Sequence, residues 1–466
     1  MTTKHKTYSP INGSLYVERD QASPEQIQAA LTKAQIAQEH WKALSLKMRI
    51  ELCSKAVDLF VANKDQIAEE LCWQIGRPIK YAGGEVDSFA ERSRYMISIA
   101  DEALASIRTS EKEGFNRYIT HEALGVVLVI APWNYPLHTP INAIIPALLA
   151  GNSVILKHSS QTPLCAERIY EAFEKAGLPE GVFQYLHMSH ENTTLTIKSP
   201  IIAGVAFTGS VSGGIQVEQA AAGRFIKVGL ELGGKDPAYI RSDANLDYAV
   251  ETTVDGSFFN SGQSCCGIER IYVHEAIYDQ FLSKFVALTE HYILGRPDDP
   301  KTTLGPLVKA SAADFVQSQI AEAVKQGAVA HINAMDFECE FDFNTPSSPY
   351  MAPQVLSHVN HSMRVMTEES FGPVVGIMKV SSDEEAVSLM NDSEFGLSAS
   401  IFSSDIDRTI ELGNQIKTGT FFVNRCDFLD PELAWTGVKN TGRGCTLSIK
   451  GFDGFTQLKS FHIKNV

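Results

Sequence analysis

The chain has 466 residues, 44% hydrophobic and 20% charged, with 40 basic against 55 acidic side chains and a net charge of −15. That length exceeds one ordinary core and predicts two or three domains. The acidic balance argues against a nucleic-acid partner, which would want a basic patch, yet leaves room for a local basic pocket around a phosphorylated cofactor. The eight cysteines include no Cys-x-x-Cys pair and no Cys/His cluster with zinc spacing, so no metal site is expected and a reducing compartment is the default. Residues 1–19 are polar, and the most apolar stretches, 123–133 and 141–156, are broken by Pro, Gly or Asn and are shorter than a membrane span. A cytoplasmic protein with no membrane partner is expected.

Ser23-Pro24-Glu25 reads as a helix start, with Ser as N-cap, Pro at the first helical position and an acid in the first turn. Ile27, Leu31, Ala34 and Trp41 follow at roughly helical spacing. Further helices are expected over 44–62, 64–71 and 84–107, with Gly76-Arg77-Pro78 interrupting the pattern. This helical quarter shows no chemistry, and its apolar stripes read as packing. Residues 108–122 are polar and turn-rich, and on their own suit a surface loop. From Gly125 the pattern alternates: strands at 126–130, 153–157, 183–187 and 204–207, helices at 141–150, 163–176 and 212–222. This rhythm predicts an α/β fold with a doubly wound dinucleotide-binding sheet. The Gly-x-Gly-x-x-Gly fingerprint is absent. Its nearest counterpart is Gly209-Ser-Val-Ser-Gly-Gly214, where small residues let N–H groups at a helix N-terminus approach a pyrophosphate; by itself it reads equally as a plain turn. After a link at 233–236 a second α/β region follows, with helices at 244–259, 278–291, 311–327, 383–390 and 405–415, strands at 270–273, 370–380, 398–402 and 421–424, and a last strand at 455–463.

Within that second region, residues 260–266 read Asn-Ser-Gly-Gln-Ser-Cys-Cys. A small flexible turn leads into two adjacent cysteines, Cys265 and Cys266. Such a thiol is either buried structure or a nucleophile presented to a cavity. Four more stretches bear on the choice: Ala131-Pro-Trp-Asn-Tyr-Pro136, Phe207-Thr-Gly-Ser210, Glu231-Leu-Gly-Gly-Lys235 and Glu369-Ser-Phe-Gly-Pro373. Together the five resemble the aldehyde dehydrogenase superfamily, in its hydrolytic, non-acylating branch, with the motifs in family order from about Trp133 to Gly444.

The resemblance implies a Rossmann-type dinucleotide-binding domain (1–107 and 123–232), an α/β catalytic domain (233–440) and a small β oligomerisation arm (108–122 and 445–466). It further implies a homodimer or homotetramer, a small-molecule aldehyde substrate, and NADP or NAD as cofactor. Oxidising an aldehyde requires a route for hydride loss, which a thiolate opens by adding to the carbonyl; the thioester that results is then hydrolysed. The family pattern Gly-Gln-x-Cys selects Cys265 as nucleophile over Cys266. Successive side chains of an extended segment face opposite sides, so the two should not share one tunnel. Asn134 would donate to the developing oxyanion with the Cys265 N–H; the local sequence also suits an Asx-turn. Glu231 would activate water; a carboxylate between apolar residues is either desolvated and basic or simply exposed.

Cofactor contacts implied by the resemblance are Trp133, Lys157, Gly209, Ser210, Glu369 and Phe371. Unaided, Lys157 reads as a solvated strand end. Two departures stand out. Lys157-His158-Ser159-Ser160 replaces the usual Lys-Pro-x-Glu, and Ala434-Trp435-Thr436-Gly437 replaces the common Pro-Phe-Gly-Gly. A carboxylate at position 160 would repel the 2′-phosphate of NADP, whereas Ser160 is neutral, and His158 would add charge when protonated. NADP is therefore expected to serve at least comparably with NAD. Leu137, His138, Asn142, Phe259 and Phe428 are candidates for the substrate tunnel and name no particular aldehyde. Acylating relatives that use coenzyme A generally lack the water-activating Glu, so Glu231 argues against that alternative; Cys265, Asn134 and Glu231 together argue against a non-catalytic protein.

Overall fold

The computed structural model describes residues 3–337 and 348–466. Two open sheets carry the molecule. The first has six strands in the order Gly442–Arg443, Lys227–Glu231, Ile202–Thr208, Val126–Ile130, Ser153–Lys157, Phe183–Tyr185, parallel except for the first. Val126–Ile130 and Ser153–Lys157 are buried at every position, as strands covered by helices on both faces must be. The chain runs outward from Val126–Ile130 in one direction, then returns to its other side with Ile202–Thr208, which makes a topological switch point there. The second sheet has seven strands in the order Val329–Ala330, Gln354–Ser357, Val374–Val380, Ile268–His274, Asp236–Ile240, Ser398–Phe402, Thr420–Val423, with an antiparallel edge only at Val329–Ala330.

The first helix runs Pro24–Ala43, and Ser23 and Gln26 form a reciprocal capping box at its start. The helix expected over 84–107 instead runs Ile79–Ser98, followed by Ala100–Ala103. It begins directly after Pro78, and burial of Ala82, Val86, Phe89 and Ala90 outweighs the helix-breaking tendency of Gly83 and Gly84. Several elements carry too little pattern to be read: the hairpin Lys4–Tyr8 with Leu15–Asp20, the helix His190–Lys198, and the strands Lys227–Glu231 and Asp236–Ile240. The last of these contains Pro237; the register shifts beside it, the irregularity where a sheet tolerates a proline.

The polar stretch 108–122 is no plain loop. Phe115–Ala123 pairs along its full length with Thr456–Lys464, from Phe115↔Lys464 to Ala123↔Thr456, and Ile107–Arg108 adds a third strand. Among the described residues no helix is long and apolar enough to cross a membrane.

Candidate active site

The carboxyl ends of the first sheet's strands face the amino ends of the second sheet's strands across a cavity of about 830 Å³. From the first sheet come residues 130–135 after one strand, Lys157 at the end of the next, residues 207–210 at the start of the helix Val211–Ala221, and Glu231. The second contributes 264–266 just before Ile268–His274, with Glu369 and Phe371 before Val374–Val380. Cys265, Glu231, Asn134, Trp133, Lys157, Gly209, Ser210, Glu369 and Phe371 therefore line one space. Ser160 does not: it is exposed, its carbonyl accepts from Thr7 Oγ1 at 2.8 Å, and Ser159 lines the wall instead.

The turn that carries the cysteines is left-handed at three successive residues, Asn260, Ser261 and Gly262 (φ 53°, 58° and 70°). Each non-glycine position there costs on the order of 1 kcal/mol. Hydrogen bonds hold it. Arg77 Nε donates to Asn260 Oδ1 (3.2 Å), Asn260 Nδ2 donates to the Gln263 carbonyl (3.2 Å), and Ser261 Oγ donates to the Gly305 carbonyl (2.8 Å). The chain then turns again, Gly267 N–H donating to the Ser264 carbonyl. Because Cys265 and Cys266 sit in a turn and not in an extended strand, side-chain alternation does not separate them, and both line the cavity. Their surroundings differ instead. Cys265 is half-buried. Cys266 is buried, its thiol donates to Asp427 Oδ1 at 2.9 Å, and the neighbouring Cys265 together with burial holds its pKa well above the ordinary thiol value.

Asn134 is buried, and its Nδ2 donates to the Gln263 carbonyl at 3.1 Å, tying the two loops together. Its own carbonyl accepts from Arg77 Nη2 at 2.6 Å, while Arg77 also pairs with Glu85 and lies over the Tyr135 ring. Glu85 in turn accepts from the Leu137 N–H at 2.8 Å. The helical quarter thus braces both site loops. The only sequence trace of this was the break at Gly76-Arg77-Pro78, which reads as punctuation.

Glu231 is half-buried, accepts from Thr208 Oγ1 (3.3 Å) and Thr446 Oγ1, and burial pushes its pKa up. Lys157 is buried, makes no ion pair among the described residues, and burial pushes its pKa down to about 8. His158 is buried as well, with Nε2 on the Pro136 carbonyl at 2.8 Å and Nδ1 accepting from the Ser159 N–H; burial takes its pKa down to about 4. It is neutral at ordinary pH, so the small charge it could add when protonated is not supplied there. Glu369 Oε1 accepts from the Gly234 N–H at 2.9 Å, and burial raises its pKa to about 7. Phe371, left-handed at φ 52°, meets Trp133 edge-on with ring centroids 5.7 Å apart. Glu269 pins this loop, accepting from the Ser370 and Phe371 N–H groups and from the buried Lys235. Lys235 stood in plain view at the end of the Glu-Leu-Gly-Gly-Lys stretch. Of the tunnel candidates, His138, Asn142, Phe259 and Phe428 line the cavity, as does Trp435; Leu137 is fully buried in the core.

A sequence profile of the aldehyde dehydrogenase family matches residues 1–461. The chain belongs to the aldehyde dehydrogenase family. It is 32% identical to an aldehyde dehydrogenase of Paenarthrobacter nicotinovorans over 457 residues, 97% of this chain and 98% of that protein. It is 31% identical to succinate-semialdehyde dehydrogenase [NADP(+)] 1 of Mycobacterium tuberculosis, over 98% of this chain and 99% of that one. The solved succinic semialdehyde dehydrogenase of Streptococcus pyogenes in complex with NADP+ superposes with a TM-score of 0.93 at 29% identity, covering 99% of this chain and 100% of its own. As an aldehyde dehydrogenase the protein oxidises an aldehyde with a nicotinamide dinucleotide, NAD or NADP.

Proposed function

We propose that this aldehyde dehydrogenase is hydrolytic: it forms a covalent adduct at Cys265 and releases a carboxylic acid with help from Glu231. The observation that carries the reading is one cavity that holds a half-buried thiol, a buried amide and a desolvated carboxylate. Cys265 adds to the carbonyl carbon, and its S–C bond forms as the carbonyl oxygen becomes an oxyanion. Asn134 keeps one amide N–H for that oxygen while the other donates to Gln263. When bound, the nicotinamide would accept the hydride: the C–H bond of the adduct breaks, the C=O bond re-forms, and the acyl group is left on Cys265 as a thioester. Glu231, made more basic by burial, takes a proton from the water that attacks the thioester carbon, and the Cys265–acyl bond breaks.

A dinucleotide fits the residues present. The cradle at residues 209–214 is tight at its glycines: a Cβ on Gly209 or Gly213 would lie 2.8 and 2.7 Å from the Phe207 ring. The helix Val211–Ala221 opens there under its Ser210 cap. Gly209, Ser210 and Trp133 would hold the diphosphate side, Glu369 and Phe371 the nicotinamide ribose, and Lys157 the adenosine ribose. The unpaired Lys157 ammonium, with no carboxylate at position 159 or 160, supports NADP serving at least comparably with NAD. The same reading includes cofactor (1–107, 123–232) and catalytic (233–440) domains, a cytoplasmic homodimer or homotetramer, and the ribbon of Phe115–Ala123 and Thr456–Lys464 as the arm between subunits.

The test is a short panel of aldehydes with NAD or NADP, with and without coenzyme A, following reduced cofactor and acid product. Acid release independent of coenzyme A is expected. A strict need for coenzyme A overturns the hydrolytic reading, and loss of no activity in Cys265→Ala overturns the nucleophile.

A further inference from the structure

Glu231 borders two cavities. A second space of about 490 Å³ adjoins the one already described, lined by the strand Lys227–Glu231, the helix His138–Leu149 and parts of 443–455. Ile130, Ala131, Thr139, Phe207, Thr208 and Glu231 line both spaces, so they form the partition, and Glu231 is its one charged group. Small residues make the room. Ala143 and Gly229 line the second space, and a Cβ on Gly229 would meet nothing nearer than the Val205 carbonyl at 4.0 Å. The outer rim is exposed at Lys227, Arg443, Lys450 and Asp453, so the space opens to solvent.

The polar groups of this space sort into two ends. At the rim the charges are spent within the chain: Lys227 Nζ donates to the Asp453 and Thr456 carbonyls, Arg443 pairs with Glu218 at 2.8 Å, and Lys450 with Asp453 at 3.7 Å. Among the described residues the rim therefore keeps no unpaired cation for an anionic ligand. At the inner end Thr208 and Thr446 donate to the two carboxylate oxygens of Glu231, one each. Each oxygen keeps a lone pair for a further donor. Thr446 is fixed in turn by paired backbone hydrogen bonds with Trp435, 2.8 and 2.9 Å. A space of this size with polar partners at its end has room and bonds for water.

The first cavity, by contrast, fills during the reaction. Its cofactor end and its aldehyde end meet at Cys265, so a dinucleotide and an acyl group together would close that approach to the thioester. We propose that the second cavity is the route by which water reaches Glu231 for thioester hydrolysis and by which the proton leaves, with Thr446 as the positioning residue at its inner end. This rests on the hydrolytic reading at Cys265 and adds where its water comes from. The water oxygen bonds to the acyl carbon while one of its protons passes to Glu231. The C–S bond breaks, and its electron pair stays on the Cys265 sulfur. Glu231 then gives its proton to water in the second cavity, and the carboxylic acid leaves through the first.

Plugging the space tests the route. Ala143→Leu and Gly229→Val add apolar volume to the second cavity, and neither residue lines the first. With enzyme in excess over butanal or benzaldehyde, whichever gives the larger burst, and NADP saturating, two phases are read: the burst of reduced cofactor, and acid release by rapid quench. Both plugs should slow acid release about tenfold or more and leave the rate and amplitude of the burst near wild type. Thr446→Val should move the acid limb of acid release to higher pH, because a carboxylate that loses a donor holds its proton more tightly, and Thr446→Ser should return it. Wild-type acid release in a plugged variant with a full burst overturns the route. Equal slowing of both phases assigns the space to packing and overturns it too, and an acid limb unmoved in Thr446→Val removes Thr446 from the positioning of Glu231. Should the plugs misfold, the smaller Ala143→Val and Gly229→Ala carry the same expectation. A wild-type burst with no acid release unless coenzyme A is added strikes the hydrolytic reading itself, before any variant is made.

Discussion

Two regions of this molecule bury polar and charged groups, and they treat them in opposite ways. In the bracing beneath the site loops every such group has its partner inside the chain: Arg77 with Glu85 and Asn260, Lys235 with Glu269 and Ser370, Cys266 with Asp427. On the cavity wall the same residue types stand open: Lys157 without a carboxylate, Arg92 with one long bond, Cys265 half-buried beside its fully bonded neighbour. Burial alone therefore does not mark function here. What sets Lys157 and Arg92 apart is a buried charge without a counter-charge, a cost tolerated where a ligand or a reaction removes it.

The adjacent cysteines are the sharpest place to break that contrast. Cys265→Ala should abolish aldehyde oxidation, a loss on the order of 8 kcal/mol of barrier or more, while Cys266→Ala retains most turnover. Single-turnover cofactor reduction decides it, and a dead Cys266→Ala with an active Cys265→Ala would reverse the assignment. Glu231 comes next. Glu231→Gln should slow steady turnover by ~10²–10⁴-fold and leave a burst of reduced cofactor near one per site. The acid form of a raised-pKa carboxyl cannot act as base, so activity should fall as pH drops through a value above the ordinary Glu range, and this limb should vanish in the variant. Identical acid limbs in wild type and variant would remove Glu231 from the step.

A bracing residue should fail differently. Arg77→Met leaves Glu85 buried and unpaired, and should lower unfolding stability by about 3–5 kcal/mol, read from denaturant midpoints, with Lys235→Met similar through Glu269. Stability within experimental error of wild type would show that these pairs do not hold the loops. The smallest effects belong to the cofactor end. Lys157 loses its proton near pH 8, so NADP affinity should weaken as pH rises through that region while NAD affinity changes less. Fluorescence titration of each cofactor, in wild type and Lys157→Met, measures it; equal pH slopes for the two would sink the idea. Ser160→Glu should shift the kcat/KM ratio toward NAD by roughly tenfold. Since Ser159 and not Ser160 lines the wall, a larger shift from Ser159→Glu would move the selective position by one residue.

Much of this arrangement was readable beforehand. The buried strands Val126–Ile130 and Ser153–Lys157 announce themselves by apolar runs, and the helix Pro163–Ala176 by its proline start and the left-handed Gly177 behind it. The motifs placed nine of ten site residues on one cavity. What escaped were partners, because the sequence prints no distances. Arg77, Glu85 and Arg92 look like ordinary charges on a helical stretch until the fold brings them to loops at 134 and 260. Side-chain alternation predicted that Cys265 and Cys266 would not share one tunnel, yet both line the cavity; what separates them is a bonded, buried thiol beside a half-buried one, not two faces of a strand. Lys227–Glu231, with a central glycine and charged ends, offers no strand pattern at all; its identity comes from its neighbours on the sheet.

That last strand also has a consequence for biosynthesis. Lys227–Glu231 meets Ile202–Thr208 on one side, and among the described residues its other edge is closed by Gly442–Arg443, with Gly442 opposite Glu231 and the Leu232 N–H donating to the Thr441 carbonyl at 2.8 Å. Until nearly the whole chain has left the ribosome, the strand that bears Glu231 presents a free row of backbone donors and acceptors. Such an edge is a template for pairing with another nascent chain. Folding yield, more than the stability of the finished enzyme, is where shortening the last few dozen residues should first be felt.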